Sequence, residues 1–449
     1  MDASEAMHAS ERVERALRRI DTLDGTLKAF ITLDAEGARR AAAVYEARGA
    51  PPGPLAGLTT AIKDLTDTAG LRTTYGSWYF RDHVPAEDDL VVARLRAAGA
   101  LVLGKTMTPE FGFGALCANR LDGPTANPWN PALTSGGSSG GAAVAVAAGM
   151  VDFAHGTDFG GSVRTPAGFC GVASLRPTPG MLPNPKRARG YDMLATAGFL
   201  ARDVAMLERV LAATAGPHPL DPLSTAASAP APTGLPVPLR IAATADFGVA
   251  PIAGEVRDRF SEAVRVLDDR FGPVASSHPD CGDAFPIFHT LRPAHIRRDY
   301  GALPPDALSE TVRWWIERGA GISADAYLAA EAARTAYARR FVRFFDEHDV
   351  LVAPAASVMP WPNTIPEVTE IDGAALETIV DYLAVTFAVT LAGCPVVTLP
   401  APKGGHALPF GLQIIGPPWS DWRLLAIARR IEAEAGFAFV APPLMDSGG

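Results

Sequence analysis

The sequence predicts an α/β fold. Two stretches alternate strand, helix and strand in the manner of βαβ units. In the first, a strand over 58–63 is followed by a helix over 88–98 and a strand over 100–104. In the second, a strand over 239–243 leads to a helix over 254–269 and a strand over 274–277. A third observation is bulk. The chain has 449 residues, 48% hydrophobic and 20% charged, which suits a large buried core and not a disordered chain.

Taken in order, residues 1–50 read as a helical arm. Val13, Leu17 and Ile20 space an apolar stripe between Glu and Arg. A second helix is expected over 34–47, ended by Pro51-Pro52-Gly53-Pro54. The strand over 58–63 ends at Lys63. A lysine is usually a solvated surface charge, but the apolar Ala61-Ile62 before it would draw this one inward. Burial pushes an amine towards its neutral form, which a general base needs. Residues 122–131, rich in Gly, Pro and Asn, are a loop.

The stretch over 134–171 carries the chemistry. Gly136-Gly137-Ser138-Ser139-Gly140-Gly141 has the composition of a flexible linker. It runs, however, into an Ala/Val segment, 142–148, that is apolar all round and reads as a buried helix. Its Gly/Ser loop therefore sits at the helix N-terminus, where backbone N–H groups are free. Gly160-Gly161-Ser162 could be an ordinary tight turn. Consecutive glycines also let several N–H groups converge beside the serine hydroxyl, the arrangement acyl transfer requires. Ser162-Val163-Arg164 does not follow the G-x-S-x-G pattern.

These two glycine–serine turns, together with Lys63 in Thr60-Ala61-Ile62-Lys63-Asp64, resemble the amidase signature family. The resemblance runs from about Arg19-Ile20 to the segment Leu408-Pro409-Phe410-Gly411-Leu412-Gln413. It implies a large mixed, mostly parallel twisted β-sheet flanked by helices on both faces. It also implies a Ser–Ser–Lys triad: Ser162 as nucleophile, Ser138 as bridging serine after a cis peptide, Lys63 as base. Ser139 competes for the bridging role, and the family's spacing between the serines favours Ser138. Backbone N–H groups of Phe159, Gly160, Gly161 and Ser162 would form the oxyanion hole. Gly137, Thr157, Asp158 and Arg164 would support the loop. Asp158 and Arg164 flank the glycines and are expected to pair and brace the turn; the rival reading has Arg164 bind a substrate carboxylate.

Beyond this core, 181–193 is polar and basic and reads as a surface loop. Residues 203–213 form an amphipathic helix, and 216–238 is a Pro/Ala-rich connector. Residues 281–345 are mostly helical and hold Phe285, Phe288, Trp314, Trp315, Tyr327, Phe341, Phe344 and Phe345. Most of these rings belong to core faces. Since the corresponding region of the family covers the active-site mouth, one or two are expected to line the substrate pocket. Further strand-like segments are 350–354, 391–397 and 410–415. The organisation expected is thus an arm over 1–50, a signature core over 51–215, the connector over 216–238, and the rest of the same α/β domain over 239–449. A helical cover occupies about 281–345.

Other functions are disfavoured by composition. A net charge of −9 argues against a broad nucleic-acid-binding surface. The four cysteines, Cys117, Cys170, Cys281 and Cys394, are dispersed and suit buried thiols in a reducing compartment. Met1-Asp2-Ala3-Ser4-Glu5 does not read as a signal peptide, and no apolar run reaches membrane-spanning length, so a cytoplasmic location is expected. The histidines form no metal-binding pattern, and no phosphate-binding glycine motif is present, so neither metal nor cofactor is expected. His155, close to the signature, reads as a structural histidine.

Three functions remain: an amide hydrolase, the glutaminase component of a tRNA-dependent amidotransferase, and a non-catalytic binding protein on the same fold. The intact Lys63, Ser138 and Ser162 speak against the last. The glutaminase component carries a tyrosine-rich G-Y-Y-D-A-Y-Y motif, whereas the comparable helix here reads Ala326-Tyr327-Leu328-Ala329-Ala330-Glu331. The expected substrates are neutral, apolar or aryl amides, with esters and carbamates presenting the same carbonyl. The expected state is a monomer or homodimer.

Overall fold

The computed structural model describes residues 8–47, 53–224, 234–378 and 380–448. The arm holds α1 (Ala9–Leu27), β1 (Phe30–Leu33) and α2 (Ala35–Ala47). Val13, Leu17 and Ile20 lie on the buried stripe of α1. The first βαβ unit is β2 (Thr59–Lys63), α3 (Leu90–Ala97) and β3 (Leu101–Thr106). Then come α4 (Gly140–Ala147), β4 (Phe153–Asp158), α5 (Arg164–Cys170), β5 (Ala173–Arg176), β6 (Thr196–Ala201) and α6 (Val204–Thr214). The connector expected over 216–238 lies partly outside the described residues, as do the N-terminal pentapeptide and Pro51-Pro52. The second βαβ unit is β7 (Ile241–Ala243), α7 (Gly254–Phe271) and β8 (Ala275–Ser276).

The helical cover consists of α8 (Ala284–Tyr300), α9 (Glu310–Ala320) and α10 (Ala324–Phe344). The chain continues through β9 (Val350–Pro354), a small hairpin of β10 (Glu370–Ile371) and β11 (Ala374–Ala375), and α11 (Ala384–Leu391). It closes with β12 (Val396–Pro400), β13 (Gly411–Ile415) and α12 (Asp421–Ala435).

Among the described residues, eleven strands form one sheet in the order β1-β3-β2-β4-β6-β5-β12-β13-β9-β7-β8. The sheet is mixed. Parallel pairing belongs to its two βαβ ends, β3-β2-β4 and β9-β7-β8. The central pairs from β4 to β9, and the edge pair β1-β3, are antiparallel. Helices cover both faces, as the alternation of the strands shows. Ala61, Ala154 and Leu200 pack into a core with α1, α4 and α5. Their neighbours Ile62, Phe153 and Phe199 pack into a second core with α3, α6, α7 and α12. The cover helices join this second core through Phe288, Trp315, Tyr337 and Phe341.

Three departures from the sequence expectation bear on the site. β4 was not anticipated, because Phe-Ala-His-Gly-Thr-Asp lacks a clean apolar alternation; pairing with β2 and β6 makes it a strand. α5 contains Pro166 and Gly168, poor helix formers, yet every residue in it is buried and tertiary packing overrides propensity. Within the segment expected as a strand over 391–397, Leu391 ends α11 and only the last residues belong to β12.

Candidate active site

Two parallel neighbours, β2 and β4, bring Lys63 and Thr157-Asp158 together at their carboxyl ends. Ligands favour that edge in sheets of this kind. The N-terminus of α4 delivers Ser138 and Ser139 to the same point, and the turn between β4 and α5 delivers Ser162. Lys63 is fully buried. Its Nζ lies 2.6 Å from Ser138 Oγ, 2.9 Å from Ser139 Oγ and 3.0 Å from Thr157 Oγ1. Burial pulls the amine down to about 7, against the opposing fields of Cys117 and Asp158. A lysine in this state is a ready proton acceptor near neutrality.

The two serines next to Lys63 differ in outlook. Ser138 and Ser162 both line a cavity of about 310 Å³, whereas Ser139 does not. Ser139 Oγ instead donates to Thr157 O at 3.2 Å. The peptide between Gly137 and Ser138 is cis. A Cβ on Gly137 would lie 2.5 Å from Gly114 O and 2.8 Å from Ala115 O, so only glycine fits there. The Lys63–Ser138 hydrogen bond is formed, while no hydrogen bond joins Ser138 to Ser162 in this structure.

The turn bearing Ser162 is braced from beneath. Asp158 Oδ1 accepts from Gly161 N at 2.9 Å, and Oδ2 accepts from Val163 N at 3.0 Å. Gly161 thus spends its N–H on Asp158 and does not line the cavity, which removes it from the four expected oxyanion donors. Phe159, Gly160 and Ser162 do line the cavity.

Arg164 is completely buried and uses all five of its donors. Nε and Nη2 bind the Asp158 carboxylate at 3.1 and 2.9 Å. Nη1 binds Thr386 O at 2.7 Å and Gln413 Oε1 at 2.8 Å, and Nη2 binds Thr390 Oγ1 at 2.8 Å. Burial alone would raise the Asp158 carboxyl; the Arg164 and Arg176 guanidinium groups overcome it and hold the carboxyl well below the usual range. Arg164 has no donor left for a substrate. Arg176, which binds Asp158 O at 2.7 Å, was not anticipated, because it lies outside the motif on β5.

The cavity wall combines rings with charges. Of the eight aromatic residues singled out in the cover, Trp315 lines it; Tyr300 of α8, Phe111, Phe113 and Tyr382 add others. Arg292 and His295 project from α8, and Glu367 from the segment after β9. Arg189, expected on a surface loop, also reaches the cavity, where it pairs with Asp192 and Asp299. His155 lies apart, packed edge-on against Phe199; burial pulls it down to about 3 and keeps it neutral. Among the described residues, no group of three or more His, Cys, Asp or Glu side chains is placed to hold a metal ion, and no helix is long and apolar enough to cross a membrane.

Residues 11–425 match the protein family described as Amidase. The A component of the glutamyl-tRNA(Gln) amidotransferase of Roseiflexus sp. (strain RS-1) is 33% identical, over 95% of this chain and 94% of that protein. The crystal structure of a bacterial aryl acylamidase of the amidase signature family superposes with a TM-score of 0.88, at 26% identity, covering 97% of this chain and 94% of that one. The native peptide amidase of Stenotrophomonas maltophilia superposes with a TM-score of 0.79, at 26% identity, covering 98% and 96%.

Proposed function

The chain belongs to the amidase family, and we propose that it hydrolyses the C–N bond of small apolar or aryl amides through an acyl-enzyme on Ser162. One observation carries this reading: a fully buried lysine, held near neutrality, is hydrogen-bonded to a serine that shares its cavity with a second serine on a braced glycine turn.

In the proposed mechanism, neutral Lys63 takes the Ser138 hydroxyl proton as Ser138 takes that of Ser162. Ser162 Oγ attacks the carbonyl carbon, and the oxyanion is held by the backbone N–H groups of Phe159, Gly160 and Ser162. The same relay returns the proton to the leaving amine nitrogen as the C–N bond breaks. Water then attacks the acyl-enzyme and frees the acid. The Ser138–Ser162 link is the contact that closes with substrate bound; such hydrogen bonds tighten in the Michaelis complex. Esters and carbamates present the same carbonyl and are expected to be cleaved as well.

The identity to the A component of the amidotransferase favours a second reading, glutamine hydrolysis within a larger assembly. Against it stands the single tyrosine, Tyr327, where that component is expected to be tyrosine-rich. The test is to assay the purified chain on an anilide, an aryl carbamate and glutamine, and to treat it with a sulfonyl fluoride. The expected result is anilide cleavage by the chain alone, label on Ser162, and a loss of about 10⁴-fold or more in Ser162→Ala. Cleavage of glutamine alone, and only once partner chains are supplied, would select the amidotransferase. Unimpaired activity in Ser162→Ala would sink both.

A further inference from the structure

The two arginines nearest the candidate nucleophile are opposites. Arg164 spends five N–H donors on protein acceptors. Arg292, on α8, spends none among the described residues. Its Nε is buried with no hydrogen-bond partner, and among the described residues no carboxylate lies within ion-pair distance of it. It is 6% exposed, and it lines the cavity that Ser138 and Ser162 share.

What surrounds it is aromatic. The guanidinium carbon lies 4.7 Å from the ring centre of Trp315, 5.6 Å from those of Phe113 and Phe288, and 5.7 Å from that of Phe159. Rings satisfy the faces of a guanidinium and hold it in place, but they accept nothing from its in-plane N–H edge. A buried cation with an open edge is costly unless an anion completes it. Of the other groups of the wall, Arg189 is matched by Asp192 and Asp299, while His295 shares a hydrogen bond with Tyr327 through Nε2 and is drawn by burial towards its neutral form. Glu367 lines the same cavity, yet it makes no ion pair with Arg292, and its Oε2 is itself without a partner. Burial pushes the Glu367 carboxyl up to about 7 against the Ala115 N–H and the field of Arg292, so the two groups feel each other's charge without Glu367 occupying the guanidinium edge.

The position is specific. A Cβ on Gly160 would lie 3.8 Å from Arg292 Nη1, so the open edge adjoins the turn proposed to hold the oxyanion. Resting on the amidase reading above, we propose that Arg292 is the receptor for a carboxylate carried by the substrate itself. The substrate class is then narrower than the neutral amides expected from sequence: an amide with an apolar body and one carboxylate, such as the half-amide of a dicarboxylic acid. The carboxylate completes the guanidinium edge, while Trp315 and the phenylalanines pack on the apolar part.

The experiment measures binding in the Ser162→Ala protein, where turnover does not interfere, by calorimetry. The probes are the half-anilides of succinic, glutaric and adipic acid, each against the neutral anilide of the same chain length. The expected result is that at least one acid binds about 10- to 100-fold more tightly than its neutral partner, the range of a charge-assisted hydrogen-bonded pair. In Ser162→Ala/Arg292→Met that ratio falls to about one, and in Ser162→Ala/Arg292→Lys part of it returns, which loss of packing alone would not produce. If no acid binds more tightly than its neutral partner, the proposal is overturned without recourse to any variant, which covers a methionine variant that fails to fold. An acid preference that survives Arg292→Met overturns it equally. Turnover of the same anilides by the unmodified protein is read separately: cleavage of the neutral series alone would leave the amidase reading standing while removing this one.

Discussion

Lys63 is the residue whose environment does most for the proposed chemistry. Its amine is brought down to about 7 by burial. The base is active when neutral, so kcat/KM is expected to rise with pH and to level off above a midpoint near 7; a midpoint near 10 would contradict a buried base. The same shift has a cost in stability. In the unfolded chain the lysine titrates near 10.5, so below that pH folding must strip a proton from the amine or bury the charge. The penalty grows as pH falls from about 10.5 to 7 and is constant below. Lys63→Met is therefore expected to abolish activity yet raise Tm at pH 7. The advantage should shrink by about 1.4 kcal/mol per pH unit towards pH 10. Thermal unfolding of both proteins between pH 7 and 10 checks this.

Arg164 is the second residue with a sharp expectation. Removing one partner of a buried pair leaves an uncompensated charge, so Arg164→Leu should lose about 3–5 kcal/mol of stability. Its five bonds reach Asp158, α11 and β13, so activity should fall on acidic and neutral anilides alike. Denaturant unfolding and the two assays separate this from substrate binding, which would spare the neutral anilide.

At the scale of elements, the site is a junction between a turn and a helix that arrives from 226 residues later in the chain. Thr386 of α11 donates to Gly160 O at 2.6 Å and sits where a Cβ on Gly161 would fall, 2.5 Å from Thr386 Oγ1. Gly161 also has φ +120, a conformation side chains rarely adopt. Gly161→Ala should therefore displace the turn and depress kcat on every substrate by about 10²-fold or more, the scale of losing one oxyanion donor. Substrate affinity, measured by calorimetry in the Ser162→Ala background, should change less than kcat, since Phe111, Phe113, Tyr300, Trp315 and Tyr382 line the cavity from outside the turn. A Gly161→Ala protein with normal kcat would show that the turn tolerates movement.

Over the whole molecule, the two βαβ ends, the helical arm and the helical cover were legible because each leaves a local signal. Val13, Leu17 and Ile20 repeat at helical spacing, and the strands over 58–63 and 239–243 carry Ala61-Ile62 and Ile241-Ala242-Ala243 ahead of helices. β1, β4 and α5 leave no such signal. β1 is four residues long, β4 ends in Gly-Thr-Asp, and α5 holds a proline and a glycine. Those segments acquire their form from neighbours distant in sequence. The domain boundaries proposed from composition, including a connector over 216–238, remain a proposal alongside the function.

The sequence by itself determined the family and the residues proposed to act, because Lys63, Ser138 and Ser162 lie in compact motifs whose spacing is readable along the chain. It also anticipated the Asp158–Arg164 pair, six positions apart in one turn. Tertiary structure alone decided what those groups face. It turned Gly161 N towards Asp158 and away from the cavity, set Ser138 and not Ser139 on the cavity wall, and brought Arg176, Thr386 and Gln413 to the brace. It also left Arg292 in an aromatic cage with its donors unspent. The reason is physical: a motif specifies which groups are present, but burial, hydrogen-bond satisfaction and charge pairing are properties of contacts, and those contacts join residues far apart in the chain.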